Sequence, residues 1–486
     1  MDTIWNNNNN FTLLTDFYEI TMAAGYLDHD KTEEVACYDL FFRTIPETGG
    51  FAIMAGVEQM IDYLNHLEFT STDIEYLKSF QIFDQRFLDY LANFKFECDV
   101  WAVPEGMPIF PHEPIVRVIG PVIQAQMIET MLLLTINHQS LIATKSSRIV
   151  RAAQGRPVME FGARRAQGYD ASVLGARAAY IGGVSGTSCT LAGKIFDIPV
   201  MGTMAHSWVQ SFSDEYTAFA AYAKTYPDNV QLLVDTYDTL NSGIPNAIRV
   251  QKEILTPLGK RLKAIRIDSG DLAYLSIRAR KILDDAGLED CQITVSNSID
   301  EYLIRDLLHQ NAQIDNFGVG ERLITSKAEP VFSGVYKLSA IGPDREHLEP
   351  RMKISENPGK ITNPGVKDIW RIYDLESGSA LADVLTLEHE EIDPTKPLEI
   401  FDPEYTWKRS TITNFRCEKI LKPIYQRGRC IYQSPSLQQI RAFCQEQLAT
   451  LWDSVKRQQN PHGYYVDLSQ ELWDLKDEYL RAHRKR

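Results

Sequence analysis

Cysteines are few in this sequence, and no two of them form a recognisable pair. Seven cysteines are scattered over 486 residues, an odd total with no two at the spacing of a metal site. This distribution argues against a disulfide framework and is typical of a reducing compartment with free thiols. We therefore expect a cytoplasmic protein.

Basic residues are outnumbered by acidic ones. The chain has 50 lysines and arginines against 65 aspartates and glutamates, which gives a formal net charge of −15. A surface that binds nucleic acid or an anionic membrane would need an excess of positive charge. We expect neither partner, although a few arginines in one pocket are enough to bind a small anion.

Long apolar segments are absent as well. The longest candidate, residues 122–134, contains two glutamines, a glutamate and a threonine, and it falls short of the ~20 apolar residues of a membrane span. The first residues, Met-Asp-Thr-Ile-Trp followed by Asn6–Asn10, do not resemble a secretory signal. We interpret the asparagines as a solvated end and expect a soluble, intracellular chain.

Several sequence signatures of catalysis are also missing. The chain has no G-x-x-x-x-G-K-[ST] loop, so any use of a nucleoside triphosphate would not follow the P-loop design. It has no G-x-S-x-G elbow, no apparent cysteine nucleophile and no apparent metal cage. The composition, 44% hydrophobic and 24% charged, is that of an ordinary globular protein, and the length predicts two or three domains.

The sequence pattern changes along the chain and suggests where these domains lie. Residues 97–120 contain short β-type runs broken by proline and glycine, and a long helical pattern covers residues 122–151. We predict an N-terminal α/β domain in residues 1–130, a catalytic β/α barrel in residues 131–345 and a C-terminal domain in residues 346–486.

Short apolar runs alternate with helical segments between about residues 155 and 340. Helical patterns such as 271–286 and 300–309 lie between most of the runs, which predicts repeated βα units and a parallel sheet. Such a sheet is either a barrel or a doubly wound sheet. The predicted strands are Val158–Phe161, Pro199–Gly202, Gln231–Val234, Ala264–Ile267, Gln292–Ser296, Ile314–Val319 and Gly334–Leu338.

Six of the predicted strands end in polar or glycine-containing turns. Turns of this kind converge at the mouth of a barrel, whereas an open sheet would spread them along one edge. Their arrangement therefore favours the barrel. The turns are residues 162–165, 202–206, 235–238, 268–271, 296–298 and 318–321.

His206 is the most informative residue in these turns. A single histidine is more often satisfied by a backbone carbonyl than catalytic, but His206 follows a short strand and shares the predicted mouth with Arg266 and Asp268. Carboxylates there suit sugar hydroxyls, a divalent cation or a developing positive charge at an anomeric carbon. Asp271 is better explained as the N-cap of the following helix.

The other turns are less specific. Gly318 and Gly320 are compatible with phosphate binding or with an ordinary turn. The pair Arg164-Arg165 suits a clamp for phosphate or carboxylate, or a solvated helix end. Asp235-Thr-Tyr-Asp238 suits ribose hydroxyls, a hairpin or helix capping. A phosphosugar substrate fits the whole set best.

At this level of detail the sequence resembles the nicotinate phosphoribosyltransferase family of type II phosphoribosyltransferases. The resemblance extends over nearly the whole chain in order. The motifs that carry it are Leu-Leu-Thr-Asp-Phe-Tyr-Glu-Ile-Thr-Met (13–22), Val-Pro-Glu-Gly-Met-Pro (103–108), Ile-Ala-Thr-Lys (142–145), Phe-Gly-Ala-Arg-Arg-Ala-Gln-Gly (161–168), Gly-Thr-Met-Ala-His (202–206), Arg-Ile-Asp-Ser-Gly-Asp-Leu (266–272), Gly-Val-Tyr-Lys-Leu (334–338) and Trp407-Lys-Arg.

The resemblance implies an α/β fold in which an irregular, TIM-like β/α barrel follows an N-terminal α/β sandwich domain and precedes a C-terminal extension. It implies an enzyme, a ligase or glycosyltransferase, that transfers phosphoribose from phosphoribosyl pyrophosphate to nicotinate. The products are nicotinate mononucleotide and pyrophosphate, with coupled ATP hydrolysis, in NAD salvage. Mg²⁺ is expected with phosphoribosyl pyrophosphate and ATP, and a homodimer with shared active sites is expected.

The resemblance also implies roles for individual residues. His206 matches a histidine that ATP phosphorylates, and Thr203 matches a threonine that contacts the substrate. Asp268 matches the acid at the ribose, and Arg266 and Arg164 match cations near the substrate carboxylate and phosphates. Tyr18 and Phe161 match the aromatic pair that stacks on the pyridine ring, with Tyr18 lent by a neighbouring subunit. The remaining residues implied in substrate binding are Ser269, Gly270, Gly318 and Gly320.

Two positions bear on specificity. Related nicotinamide enzymes have an aspartate where this chain has Ser188, and a serine avoids a negative charge that would repel a carboxylate substrate. Glu321 departs from the threonine of many members, so an acid lies beside the expected phosphate turn. The alternatives are a quinolinate or nicotinamide phosphoribosyltransferase, or a relative that binds these ligands without turnover.

Overall fold

The computed structural model describes residues 10–484, so Asn6–Asn9 of the predicted solvated end lie outside the described residues. The chain forms two compact units: unit 1 consists of Met1–Leu141 and Val331–Arg486, and unit 2 of Ile142–Pro330. The boundary near residue 141 falls within a helix. The division into domains at residues 130 and 345 stays a prediction, because a compact unit can contain parts of several domains.

The helices and strands are as follows. The helices are α1 (Phe17–Asp28), α2 (Val57–Asn65), α3 (Ser71–Ser79), α4 (Gln85–Ala92), α5 (Val122–Met127), α6 (Glu129–Ala152), α7 (Tyr169–Ile181), α8 (Thr190–Phe196), α9 (His206–Gln210), α10 (Glu215–Thr225), α11 (Ile244–Val250), α12 (Leu272–Asp285), α13 (Glu301–His309), α14 (Glu321–Ile324), α15 (Leu437–Thr450) and α16 (Gln470–Arg484). The strands are β1 (Val35–Phe42), β2 (Ala52–Ile53), β3 (Asp99–Ala102), β4 (Pro108–Ile109), β5 (Val116–Pro121), β6 (Val158–Glu160), β7 (Gly186–Thr187), β8 (Gln231–Leu233), β9 (Ala264–Ile267), β10 (Gln292–Ser296), β11 (Asn316–Val319), β12 (Gly334–Gly342), β13 (Glu349–Pro350), β14 (Lys367–Asp374), β15 (Ala380–Leu387), β16 (Leu398–Phe401), β17 (Arg409–Ile412), β18 (Phe415–Lys419), β19 (Lys422–Gln426), β20 (Arg429–Cys430) and β21 (Val466–Leu468). Among residues 10–484, no helix has both the length and the apolar character that crossing a bilayer requires.

Unit 1 is built around an antiparallel sheet of seven strands in the order β13-β12-β1-β5-β3-β19-β20. The strands predicted in residues 97–120 are confirmed as β3, β4 and β5. The run Gly334–Leu338 is also a strand, but its assignment to the parallel sheet is wrong, since it pairs antiparallel with β1. An apolar run identifies a buried strand without identifying its partner, which is why the sequence pattern misplaced it.

A second sheet of unit 1, in the order β18-β14-β15-β21, is joined to the first by buried charges. Lys367 on β14 lies 2.8 Å from Asp39 on β1, and Arg117 on β5 lies 3.1 Å from Asp368 on β14. All four side chains are nearly inaccessible to solvent. Ion pairs of this kind fix which strands face each other, because a mismatched charge would be buried without a partner.

Unit 2 contains the parallel sheet, in the order β7-β6-β11-β10-β9-β8. Alternate residues of its strands, such as Ile265, Ile293 and Phe317, are fully buried. The first strand of the unit, β6, pairs with the last, β11. Pairing between the first and last strands is what a ring of strands requires. The predicted strand Pro199–Gly202 is reduced to one parallel bridge between Val200 and Thr187.

The parallel sheet of the predicted irregular, TIM-like β/α barrel is confirmed, whereas closure of the barrel is not shown by these pairings. Among the described residues no strand pairing joins Val200 to β8, so the ring of strands is left open at that point. The fold is therefore mixed α/β with a six-stranded parallel sheet in unit 2. Strand β7 was missed in the sequence, because two residues are too short to show a hydrophobic pattern.

A buried ion cluster fixes helix α6 to helix α13 within unit 2. Oε1 of Glu301 accepts hydrogen bonds from Nζ of Lys145 (3.0 Å) and Nε of Arg148 (2.8 Å), and the Glu301 side chain is fully buried. Burial alone would raise the pKa of Glu301, but Lys145 and Arg148 hold it below its ordinary value. Lys145, part of the motif at residues 142–145, is therefore explained by packing.

Replacing Glu301 with glutamine is expected to lower the free energy of unfolding by about 3 kcal/mol, because it removes the buried carboxylate charge that two cations share. Unfolding in urea, followed by circular dichroism, measures the change. The matched control is Glu253→Gln, which removes an exposed partner of Arg249 and should leave the urea midpoint unchanged. Equal midpoints for both variants would contradict the prediction.

Candidate active site

Polar side chains meet where strands β8, β9 and β10 end. Oδ2 of Asp235 accepts hydrogen bonds from the backbone N of Asp268 (3.0 Å) and from Oγ of Ser269 (2.6 Å). Oδ1 of Asp268 accepts a hydrogen bond from Oγ of Ser296. Parallel strands bring their carboxyl ends to the same edge, so residues about thirty positions apart in sequence become neighbours.

His206 lies beside these carboxylates at the first position of helix α9. Its Nδ1 is 3.1 Å from Oγ1 of Thr236, and its Nε2 is 3.7 Å from Oδ2 of Asp268 and 4.0 Å from Oδ1 of Asp235. The His206 side chain is 38% exposed. The ring is thus held on one nitrogen by a hydroxyl, faces two carboxylates with the other, and stays accessible to a ligand.

Asp235, for which the sequence left a role at ribose hydroxyls and a role in a turn equally open, lies inside the site. Its side chain is only 1% exposed, and its Oδ1 has no hydrogen-bond partner. An ionised carboxylate oxygen buried in this way attracts positive charge strongly. Its partner in the same motif, Asp238, has a different role, because its Oδ1 accepts from the backbone N of Leu240 (3.1 Å) and Asn241 (2.9 Å) and so caps a short helix.

Arg266 ties the loop before His206 to strand β9. Its Nη1 donates to Oγ1 of Thr203 (2.7 Å) and its Nη2 to the carbonyl of Met204 (3.1 Å). Burial lowers the pKa of Arg266 below its ordinary value, and the carboxylates of Asp268 and Asp235 oppose this effect. Arginine stays charged nevertheless, so a largely buried cation lies next to the two carboxylates.

Phe161 and the two glycines after β11 form one packed group. The backbone N of Phe161 donates to the carbonyl of Val319 (2.7 Å), and a Cβ at Gly318 would lie 2.6 Å from the Phe161 ring. A Cβ at Gly320 would lie 3.2 Å from the Phe161 carbonyl oxygen. Packing against Phe161 therefore accounts for glycine at 318, and the phosphate-binding role of both glycines stays a prediction.

The charge of Glu321 is balanced by its neighbours. Its Oε1 accepts a hydrogen bond from Nζ of Lys327 (2.5 Å), and its Oε2 lies 4.0 Å from Nε of Arg165. The hydrogen bond and charge of Lys327, with a smaller contribution from Arg165, lower the pKa of Glu321. Arg164, the other member of the arginine pair, is exposed on a short turn.

Ser188 lies between strand β7 and helix α8. Its backbone N donates to the carbonyl of Glu160 (2.8 Å), which places it next to the end of β6. The Glu160 side chain is buried, accepts from Oγ1 of Thr187 (2.6 Å) and has a pKa raised by burial. Glu160 thus joins the ends of β6 and β7, a role that the sequence did not reveal.

The remaining predicted residues are placed as follows. Gly270 has φ of +80°, a left-handed conformation that favours glycine. Asp271 caps helix α12 as predicted, because its Oδ1 accepts from the backbone N of Tyr274 (3.0 Å). Tyr18 lies on helix α1 of unit 1 and is 44% exposed. Its pairing with Phe161 of unit 2 stays a prediction.

Three family models match the chain in sequence order. They are the nicotinate phosphoribosyltransferase N-terminal domain over residues 13–137, the nicotinate phosphoribosyltransferase family over residues 157–377 and the nicotinate phosphoribosyltransferase C-terminal domain over residues 366–476. Together they extend over most of the chain.

Curated relatives are similar over nearly their whole length. Nicotinate phosphoribosyltransferase of Bacillus subtilis is 43% identical over 477 residues, covering 98% of this chain and 96% of the relative. The human protein of the same name is 33% identical, covering 95% of each chain.

Solved structures share the fold. The crystal structure of human nicotinic acid phosphoribosyltransferase matches with a TM-score of 0.85 at 31% identity, covering 96% of this chain and 99% of that one. The nicotinate-nucleotide pyrophosphorylase of Pyrococcus furiosus matches with a TM-score of 0.70 at 21% identity, covering 93% and 99%, and shows likeness of fold alone.

Proposed function

The chain belongs to the nicotinate phosphoribosyltransferase family, and we propose that it forms nicotinate mononucleotide and pyrophosphate from nicotinate and phosphoribosyl pyrophosphate, with ATP hydrolysis coupled to turnover. The observation that supports this reaction most directly is the cluster of His206, Asp235 and Asp268 at one edge of the parallel sheet. The proposal is tested by identifying nicotinate mononucleotide among the products of the purified protein.

Asp268 is proposed to act at the ribose. The pyridine nitrogen of nicotinate attacks the anomeric carbon while the bond from that carbon to pyrophosphate breaks. No proton has to leave the nitrogen, so the reaction needs stabilisation of positive charge at the anomeric carbon more than it needs a base. A fixed carboxylate supplies that stabilisation, and Asp268 is held by Ser296 while 36% of its side chain is exposed.

His206 is proposed to accept the γ-phosphoryl group of ATP. The nitrogen–phosphorus bond forms as the bond to the β-phosphate oxygen breaks, and ADP leaves. When Nε2 carries the phosphoryl group and Nδ1 keeps its proton, the imidazole ring has a positive charge. The carboxylates of Asp235 and Asp268 beside Nε2 stabilise that charge. The phosphoryl group then favours the loop arrangement that binds phosphoribosyl pyrophosphate.

Mg²⁺ is proposed to enter with the phosphates. Among residues 10–484 no group of three or more His, Cys, Asp or Glu side chains is arranged to hold a metal. Mg²⁺ is commonly held by one or two carboxylates together with substrate phosphates, and Asp268 and the unpartnered Oδ1 of Asp235 fit that need. When bound, the ion would neutralise charge on the leaving pyrophosphate.

Other residues are proposed to bind the substrates. Arg266 and Arg164 interact with the substrate carboxylate and phosphates, and Thr203 is oriented by its hydrogen bond from Arg266. Tyr18 and Phe161 stack on the pyridine ring, with Tyr18 supplied by the second subunit of a homodimer. Ser269, Gly270, Gly318 and Gly320 form the turns that contact the phosphoribosyl group, at the mouth of an irregular, TIM-like β/α barrel.

Ser188 is proposed to favour nicotinate over nicotinamide. Replacing it with aspartate is expected to lower kcat/KM for nicotinate about tenfold, because a second carboxylate near the substrate carboxylate costs on the order of 1 kcal/mol or more. The matched control is Ser188→Asn, since asparagine has the size of aspartate without its charge. It should lower kcat/KM for nicotinate much less. Nicotinate and nicotinamide kinetics measure both, and an equal loss in the two variants would contradict a role of charge.

A further inference from the structure

The motif at residues 13–22 contains polar residues whose role the reaction does not explain. Glu19 is fully buried although its neighbour Tyr18 is 44% exposed. Oε1 of Glu19 accepts hydrogen bonds from Oγ1 (2.5 Å) and the backbone N (3.2 Å) of Thr130, and Oε2 accepts one from Oγ1 of Thr15. The first amides of a helix have no partner within it, so Glu19 on α1 satisfies the start of α6.

The hydroxyl of Thr130 links the two helices in both directions. It donates to Glu19 and accepts a hydrogen bond from the backbone N of Asp16 (3.1 Å), the residue that precedes α1. Burial raises the pKa of Glu19 to about 7, even though three donors favour its charged form. The start of α1 is therefore fixed to the first turn of α6 through one side chain in each helix.

Glu129, in the first turn of α6, contributes negative charge near the Tyr18 phenol. Burial together with the charges of Glu129 and Glu19 raises the pKa of Tyr18. Glu129 is itself held, because it accepts from Nε2 of Gln126 (3.1 Å) and lies 3.6 Å from Nζ of Lys337. The hydrogen bonds of Thr130 thus position the helix that carries Tyr18, and Glu129 adds a fixed negative charge beside it.

We propose that Glu19 and Thr130 are positioning residues that hold helix α1, and with it the ring of Tyr18, in the orientation in which the ring stacks on nicotinate. The inference rests on the proposed function. These residues would affect nicotinate binding without touching the substrate, because they act through the helix that carries Tyr18. Stacking depends on the angle and offset of the two rings. Loosening α1 should therefore weaken nicotinate binding and leave the phosphoribosyl site unaffected.

The first test is Thr130→Val, which keeps the shape of the side chain and removes both hydroxyl hydrogen bonds. KM for nicotinate should rise about fivefold, the effect of losing one or two hydrogen bonds, with kcat and KM for phosphoribosyl pyrophosphate unchanged. Thr130→Ser should restore the wild-type KM. The matched control is Thr450→Val, whose hydroxyl caps the end of α15 by bonding to the carbonyl of Gln447, and it should not change KM.

The decisive test is a double-mutant cycle with Tyr18→Leu. If Thr130 acts through the Tyr18 ring, Thr130→Val should raise KM for nicotinate in the wild-type background and have no further effect once the ring is gone. An equal rise in both backgrounds, or no rise in either, would overturn the inference. Should Thr130→Val fail to fold in a melting experiment, Glu19→Gln, which removes the carboxylate that Thr130 and Thr15 contact, enters the same cycle with the same two outcomes.

The outcome for the wild-type protein separates this inference from the proposed function. A wild-type protein that makes no nicotinate mononucleotide contradicts the proposed function. A wild-type protein that makes it, together with a Thr130→Val variant of unchanged KM, contradicts only the positioning role.

Discussion

Replacing His206 with alanine is expected to abolish the stimulation of turnover by ATP. In the proposed function the accessible His206 ring is the nucleophile that ATP phosphorylates, and the two neighbouring carboxylates would stabilise the positive charge that forms on the ring. Without the ring the proposed phosphoenzyme would not form, and ATP should no longer raise the rate of turnover. Transfer without ATP should continue at the unstimulated rate, because Asp268 and Arg266 remain in place.

Phosphoryl labelling tests this prediction directly. Incubation with ATP labelled in the γ-phosphate should give an acid-labile phosphoryl group on the wild-type protein and none on the variant. The matched control is His309→Ala, which removes an exposed histidine at the end of α13 and should be labelled normally. Labelling of the His206→Ala variant at the wild-type level would show that the acceptor is another residue.

Replacing Asp268 with asparagine is expected to lower kcat/KM for phosphoribosyl pyrophosphate on the order of a hundredfold or more. Removal of one group that stabilises charge in a transition state costs 10²–10³ in rate in comparable cases, roughly 3–4 kcal/mol. Asparagine keeps the size of the side chain, so the effect isolates the charge. Ser296→Ala, which removes the hydroxyl bonded to Asp268, should cost about tenfold.

The control for this pair is Asp284→Asn, at the exposed surface of α12. Steady-state kinetics with varied phosphoribosyl pyrophosphate measure all three variants. A change of only a few fold in Asp268→Asn, with normal folding, would mean that the carboxylate does not oppose charge at the anomeric carbon.

The strand ends were the most predictable part of the site. Apolar runs followed by polar turns indicated β8 to β11, and they placed Arg266 and Asp268 on the same edge as His206, where the structure brings them together. This works because parallel strands all present their carboxyl ends on one side, so order in sequence is enough to predict proximity.

The contacts within the site were not predictable. Asp235 and Asp238 look alike in sequence, yet one supports the turn of Asp268 and the other caps a helix. The difference depends on position: Asp235 lies just after strand β8, whereas Asp238 directly precedes a short helix. Glu160 and Ser296 were missed as partners for the same reason, because a hydrogen bond between strands depends on register.

The architecture of unit 1 depends on pairings that are distant in sequence. Strand β1 pairs with β12, about 300 residues later, and β3 pairs with β19. Hydrophobic patterns report burial locally and carry no information about such partners, which explains the misplacement of Gly334–Leu338. The same limit applies to unit 2, where the order of the strands predicts an irregular barrel but does not reveal the gap that the described pairings leave between Val200 and β8.

The most direct test of the account is release of pyrophosphate by the purified protein from phosphoribosyl pyrophosphate, with nicotinate, nicotinamide or quinolinate as acceptor and with or without ATP. We predict rapid release with nicotinate alone among the three, one nicotinate mononucleotide for each pyrophosphate, and stimulation by ATP that requires His206. Release with quinolinate or nicotinamide at the nicotinate rate, or ATP stimulation that survives in His206→Ala, would contradict it.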